Sequence, residues 1–317
     1  MKIKAKLKLE WTVLLLFIGT IVYSQDTLRF LHVTDLHLMF NLESYNPELA
    51  DHRNFVRKYN NTNANFKHFM ENIPEETNSD FVIATGDIID FFEAEALGEE
   101  KLAYQVEQFV RLKDLYHFPI FLTLGNHDLF SYDWGEEKVI FNQLNTGRAK
   151  ATWIRNFDCF RDGTYYNRTY VVGETRFHLI FLDNGFYHFP KEEKVVNPYI
   201  DKPQLHWLRK ELREAGDDIV IVLMHIPFSD ISVLPESQNE LYKELNQNSS
   251  VKLIFAGHRH KNEVKHFTSD GYGEIIQIET GALARSLENW RVINLTNNSI
   301  IISKPGVTDT ELIIPIN

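Results

Sequence analysis

Residues 28–37 read LRFLHVTDLH, a short run of aliphatic, aromatic and β-branched residues that stops on a carboxylate and an imidazole one residue apart. A buried strand accounts for the first half of this pattern. Nothing in a strand requires the second half. The same construction returns in DFVIATGDIID (80–90), PIFLTLGNHD (119–128), IVIVLMHIP (219–227) and VKLIFAGHRH (251–260). In each, an apolar run ends in Asp, Asn or His, and Gly86, Gly125 and Gly257 stand where backbone must come close to a bound group. Ligands of α/β sheets bind at the carboxyl ends of strands, so these polar residues are predicted to converge on one edge.

Helical patterns separate the runs. Leu102, Val106, Phe109 and Val110 recur at helical spacing, and Gln204, Leu205, Trp207, Leu208 and Leu212 follow Pro203, which suits a first helical turn. TYYNRTYVV (164–172) and TRFHLIFLD (175–183) read as a hairpin, and short strands follow one another closely from Glu263. The order β, α, β, α, β followed by hairpins predicts one mixed α/β domain over 25–317. A long insertion over 38–79, carrying Met39, Phe40, Tyr45 and Phe55, is the first place expected to contact substrate.

Composition sets the outer bounds. The chain of 317 residues is 44% apolar and 24% charged with 10 Pro and 15 Gly, which excludes disordered and collagen-like classes. A net charge of −11 disfavours nucleic acid as a partner. The one cysteine, Cys159, rules out an internal disulfide and a thiolate zinc site, so any metal must rest on nitrogen and oxygen donors. Lys2, Lys4, Lys6 and Lys8 precede an apolar stretch from Trp11 to Val22, and Ser24 offers a small residue for cleavage. Residues 1–24 therefore read as a signal peptide, with export to a periplasmic, secreted or extracellular location. That stretch is shorter than the roughly 20 residues a membrane span needs, so no permanent span is expected. The sequence carries no signal for an oligomeric state.

The strand-end residues form a donor set. Asp35 with His37, Asp87, Asn126 with His127 and Asp128, His225, and His258 with His260 suit two divalent ions about 3.5–4 Å apart that share a carboxylate. Taken singly, each His is more often a hydrogen-bonded structural residue. Their recurrence at strand ends makes that reading a poor one for the set. His32, His52, His68, His117, His178, His188, His206 and His266 lack this context and are read as structural.

In order, D-x-H (35–37), G-D-x-x-D (86–90), G-N-H-D (125–128), M-H-x-P (224–227) and G-H-x-H (257–260) resemble the calcineurin-like metallophosphoesterase family from Leu28 to about Gly281. The resemblance implies an α/β sandwich of two mixed β-sheets flanked by helices. It implies that Asp35, His37, Asp87 and His260 hold one divalent ion and Asp87, Asn126, His225 and His258 the other. Those donors suit Mn, Fe, Zn, Co or Ni. A hydroxide between the ions would then attack phosphorus in line, with no covalent intermediate. His127 is similar to the family histidine that protonates the leaving oxygen, and Asp90 to the carboxylate that orients it.

One departure narrows the substrate. The protein-phosphatase branch continues its second block as D-R-G, whereas Phe91 and Phe92 follow Asp90 here, so a phosphoprotein is disfavoured. A small-molecule, lipid or nucleotide phosphoester is expected, its leaving group held among Phe91, Phe92, Phe130, Tyr132, Trp134, Phe186, Tyr187 and Phe189. The alternative is a catalytically silent metal-binding interaction scaffold with the same fold.

Overall fold

The computed structural model describes residues 26–98, 100–186, 197–228, 239–269 and 273–316. The expected signal peptide and Tyr187, His188 and Phe189 lie outside the described residues. In chain order the strands are β1 (Thr27–Val33), β2 (Phe81–Thr85), β3 (Glu93–Glu95), β4 (Lys101–Leu102), β5 (Ile120–Thr123), β6 (Ser131–Gly135), β7 (Lys138–Asn142) and β8 (Tyr166–Val172). They continue as β9 (Thr175–Phe181), β10 (Ile219–Leu223), β11 (Val251–Ala256), β12 (Glu263–Ser269), β13 (Gly273–Glu279), β14 (Arg291–Thr296), β15 (Ser299–Ser303) and β16 (Thr310–Pro315). The helices are α1 (Pro47–Asp51), α2 (Thr62–Glu76), α3 (Gln105–Lys113), α4 (Thr146–Asn156), α5 (Lys202–Ala215) and α6 (Glu240–Asn246).

The fold is α/β, with two mixed six-stranded sheets flanked by helices. One sheet runs β16-β15-β14-β1-β2-β5 and the other β12-β13-β11-β10-β9-β8. In the first, β1, β2 and β5 are parallel and β14 to β16 add antiparallel strands. In the second, β9, β10, β11 and β13 are parallel, with β8 and β12 antiparallel at the two edges.

Period-2 alternation explains how the second sheet is covered on both faces. Ile219, Ile221, Leu223, Leu253 and Phe255 join the core shared with β1 and β2, where the Phe255 ring meets Phe30 edge-on at 6.0 Å. Val220, Val222 and Ile254 point the other way, onto Leu205, Leu208 and Leu212 of α5 and Leu241 and Leu245 of α6. Both helices start on side-chain caps: Asp201 accepts from Gln204 N–H, and Asn239 accepts from Tyr242 N–H. Gly216 ends α5 at φ 56°.

A further four-stranded sheet, β4-β3-β6-β7, was not foreseen. Leu102, read as the start of a helix, instead lies in β4 opposite Ala94, and α3 begins at Gln105. No helix among the described residues is long and apolar enough to cross a membrane.

His32, read as structural, is fully buried on β1, with Nδ1 2.8 Å from Thr280 Oγ1 and Nε2 2.8 Å from Thr85 Oγ1. Burial and the Arg291 guanidinium lower its pKa from 6.5 to about 3. As pH falls, the unfolded chain takes up this proton first. The residue's contribution to stability is therefore intact above about pH 6.5 and is lost between there and about pH 3, by up to ~1.4 kcal/mol per pH unit. Urea unfolding followed from neutral pH downward should show a shallower pH dependence for His32→Gln than for the parent chain. Parallel dependences would contradict this assignment.

Candidate metal centre

The three parallel strands β1, β2 and β5 of one sheet and the central strands β10 and β11 of the other deliver their carboxyl ends to one place. The backbone there is unusual. Asp35 (φ 52°), His37 (φ 44°), Asp87 (φ 51°), His258 (φ 70°) and His260 (φ 56°) all adopt left-handed conformations, which non-glycine residues avoid at a cost of about 1–2 kcal/mol each. The turns swing each side chain off its strand axis toward a common point. Two glycines make the approach possible. A Cβ on Gly125 would lie 2.2 Å from both the amide nitrogen and Oδ1 of Asp87, and one on Gly257 would lie 2.5 Å from Asp35 Oδ2.

Each carboxylate is split between a structural oxygen and a free one. Asp35 Oδ2 accepts from Thr34 Oγ1 at 2.9 Å and from His258 N–H at 3.0 Å. Asp35 Oδ1 is buried, forms no hydrogen bond, and lies 3.1 Å from His260 Nε2 and 3.8 Å from His37 Nε2. Asp87 Oδ1 accepts from His127 N–H at 2.8 Å, leaving Oδ2 3.8 Å from His37 Nε2 and 3.3 Å from His225 Nε2. On the far side, Asn126 Oδ1 is 3.2 Å from His225 Nε2 and 3.0 Å from His258 Nδ1.

Donor atoms packed this closely from separate loops face a common point. Asp35, His37, Asp87 and His260 form one such group and Asp87, His225 and His258 another, with ligand atoms in each within 4.8 Å of one another. Asp87 belongs to both. His225 Nδ1 lies 2.8 Å from the Thr85 carbonyl, which can only accept, so Nδ1 donates there and Nε2 is the ring nitrogen turned toward the group. Burial would raise Asp87, but His225, His127 and His37 hold it well below the usual carboxylate range. Burial would likewise lower His225, but Asp87 and Asp35 raise it to about 9. This mixed set of hard oxygens and imidazoles in a buried pocket fits two divalent cations.

The structure thus brings together Asp35, His37, Asp87, Asn126, His225, His258 and His260. His127 stands beside them, its ring 4.6 Å from that of His37. Asp90 also arrives, with two contacts to the His127 ring. His127 Nδ1 donates to the Asp90 backbone carbonyl at 2.6 Å, while Asp90 Oδ1 lies 3.5 Å from His127 Nδ1 and 3.4 Å from His37 Nδ1. Asp90 Oδ2 pairs with Arg53 Nε at 3.0 Å. Burial would raise Asp90, yet its bonds to His127 and His37 and the nearby Arg53 and Arg57 keep it far below the usual range. Asp128 is turned away from the centre and ties two loops together, accepting from Ile88, Ile89 and Gly125 N–H.

Sequence reasoning missed the basic residues of the insertion. Arg53 Nη2 donates to the His37 carbonyl at 2.8 Å, Arg57 Nη2 donates to His127 Nε2 at 2.9 Å, and Tyr59 stacks on the His37 ring at 4.4 Å. The pair at i and i+4 was the available signal. Of the insertion residues expected to contact substrate, Met39 and Tyr45 are in the core, Phe40 packs against it and Phe55 faces solvent.

The aromatic expectation divides in the same way. Phe91 and Phe92 are core residues and Phe186 packs against the core. Phe130 and Tyr132 line a cavity of about 300 Å³ together with His127, Arg57, Phe141 and His52.

The calcineurin-like phosphoesterase family model matches residues 28–262. No curated protein matches the chain. Among solved structures, a dimetal phosphatase from Danio rerio is similar, with 14% identity and TM-score 0.59 over 91% of this chain and 98% of that one. GAP50, the anchor in the inner membrane complex of Plasmodium, has 17% identity and TM-score 0.52 over 92% and 90%. Purple acid phosphatase PPD1 from yellow lupin seeds has 12% identity and TM-score 0.51 over 90% and 53%. At these identities the likeness is one of fold.

Because Gly125 admits Asp87 at van der Waals limits, Gly125→Ala should lower stability by about 1–3 kcal/mol and reduce the metal content of the purified protein. Elemental analysis and urea unfolding check both. Parental metal content and stability in the variant would contradict the geometry.

Proposed function

Since the chain belongs to the calcineurin-like phosphoesterase family, we propose that it is an exported hydrolase of phosphate mono- or diesters that works with two divalent ions. The observation that carries this reading is the position of Asp87 Oδ2, shared between two donor groups within reach of His37 on one side and His225 on the other. When bound, an ion pair there activates a water for attack and neutralises phosphate oxygens.

The chain's own residues supply the rest. Asp35, His37, Asp87 and His260 hold one ion, and Asp87, Asn126, His225 and His258 hold the other. His127 protonates the leaving group. With substrate bound, Arg57 leaves His127 Nε2, which takes a proton from solvent; as the water oxygen bonds to phosphorus and the ester P–O bond breaks, that proton passes to the leaving oxygen and the water's proton passes to solvent. Nδ1 of His127 stays bonded to the Asp90 carbonyl, which fixes the ring plane during transfer. Arg53 holds the Asp90 carboxylate in place between His37 and His127.

Export rests on the lysine-rich start and the apolar stretch from Trp11 to Val22. The fold alone does not separate an enzyme from a scaffold, since one structure of similar fold is described as an anchor. The intact donor set and His127 favour the enzyme.

His127→Ala should keep both metals and lose about 10²- to 10⁴-fold in turnover of an aryl phosphate ester, whereas Asp87→Ala should lose metal and turnover together. Metal-loaded parent protein inert toward every generic phosphate ester would leave the scaffold reading in its place.

A further inference from the structure

Arg57 lies in the insertion, half-buried at the wall of the 300 Å³ cavity beside the metal centre. Among the described residues it forms no ion pair, in contrast to Arg53, four residues earlier, which pairs with Asp90. Its guanidinium donates only to neutral groups, His127 Nε2 at 2.9 Å and Tyr132 Oη at 3.4 Å.

It is also held rigidly. The Tyr59 ring lies under it at 5.2 Å, Tyr59 is stacked on His37, and Arg53 donates to the carbonyls of both His37 and Tyr59. A cation fixed beside this centre, its Nη groups turned inward and paired with no carboxylate, Asp90 acting on it only at longer range, is placed to receive an anion.

Resting on the hydrolase reading above, we infer that Arg57 binds a non-bridging oxygen of the substrate phosphate and thereby selects monoesters over diesters. The argument is one of counting oxygens. A monoester phosphoryl group carries three non-bridging oxygens, so after each of two ions takes one, a third is left for Arg57. A diester has two, and both are then engaged. With a diester, the guanidinium would keep only its neutral partners, and the second ester group would have to occupy the space it faces.

The cavity fits the other half of such a substrate. At about 300 Å³ it is at the small end of ligand sites, and Phe130, Tyr132 and Phe141 give it aromatic walls, which suits a single-ring leaving group.

The test uses the metal-loaded chain with Arg57→Gln and Arg57→Lys, after elemental analysis and thermal unfolding have established parental metal content and folding. Calorimetric titration with inorganic phosphate should show binding weakened at least about tenfold in Arg57→Gln, with Arg57→Lys in between because it keeps the charge but not the fork. For an aryl phosphate monoester, kcat/KM should fall at least about 30-fold in Arg57→Gln, against less than about threefold for the corresponding bis-aryl diester.

Unchanged phosphate affinity in Arg57→Gln, or equal losses on both esters, would overturn the inference. If parent protein cleaves neither ester yet loses phosphate affinity on Arg57→Gln, the hydrolase reading fails and the anion site stands.

Discussion

Everything at the centre follows from placing two buried carboxylates and several imidazoles within a few ångströms of one another. Asp35 and Asp87 are buried, one oxygen of each is tied to neighbouring loops while the other faces the imidazoles, and the backbone beneath them is left-handed. Strain of about 1–2 kcal/mol at each of several non-glycine positions persists only where the surroundings over-determine it. Here the surroundings are two sheets whose parallel strands end side by side. The sheets fix the strand ends, the glycines let neighbouring loops interpenetrate, and the donors are left facing one another across a few ångströms. A pair of dications is the counter-charge that such an arrangement suits.

The insertion gives this centre a second layer. Arg53 reaches from the insertion to the His37 carbonyl and the Asp90 carboxylate, so the loop after β1 that bears His37 and the loop after β2 that bears Asp87 and Asp90 are braced by the same guanidinium. Tyr59 covers the back of the His37 ring. Asp90 therefore serves Arg53, Arg57, His37 and His127, which explains why its carboxyl is held far below the usual range. Asp90 meets the His127 ring through its carbonyl and, at longer range, through its carboxylate, whose other oxygen pairs with Arg53.

The two large sheets and the convergent donors were legible because both are written locally. Runs such as IVIVLM and VKLIFA are continuous enough to mark buried strands, and each donor follows its strand within a few residues. The small sheet was not legible. β3 and β4 are short and polar, reading EAE and KL, and buried Glu93 is satisfied by Ser131, Asn145 and Arg148 from far along the chain. Arg57 and His127 are likewise 70 positions apart, and no local pattern announces a contact of that range. Phe91 and Phe92 misled because an aromatic beside a catalytic motif looks the same in sequence whether it faces a pocket or the core.

The most direct test is crystallographic. Crystals grown with manganese, measured for anomalous scattering, should show two peaks about 3.5–4 Å apart on either side of the Asp87 carboxylate, one near His37 and the other near His225. A single peak, or peaks elsewhere on the molecule, would contradict a shared carboxylate as the organising element of the site.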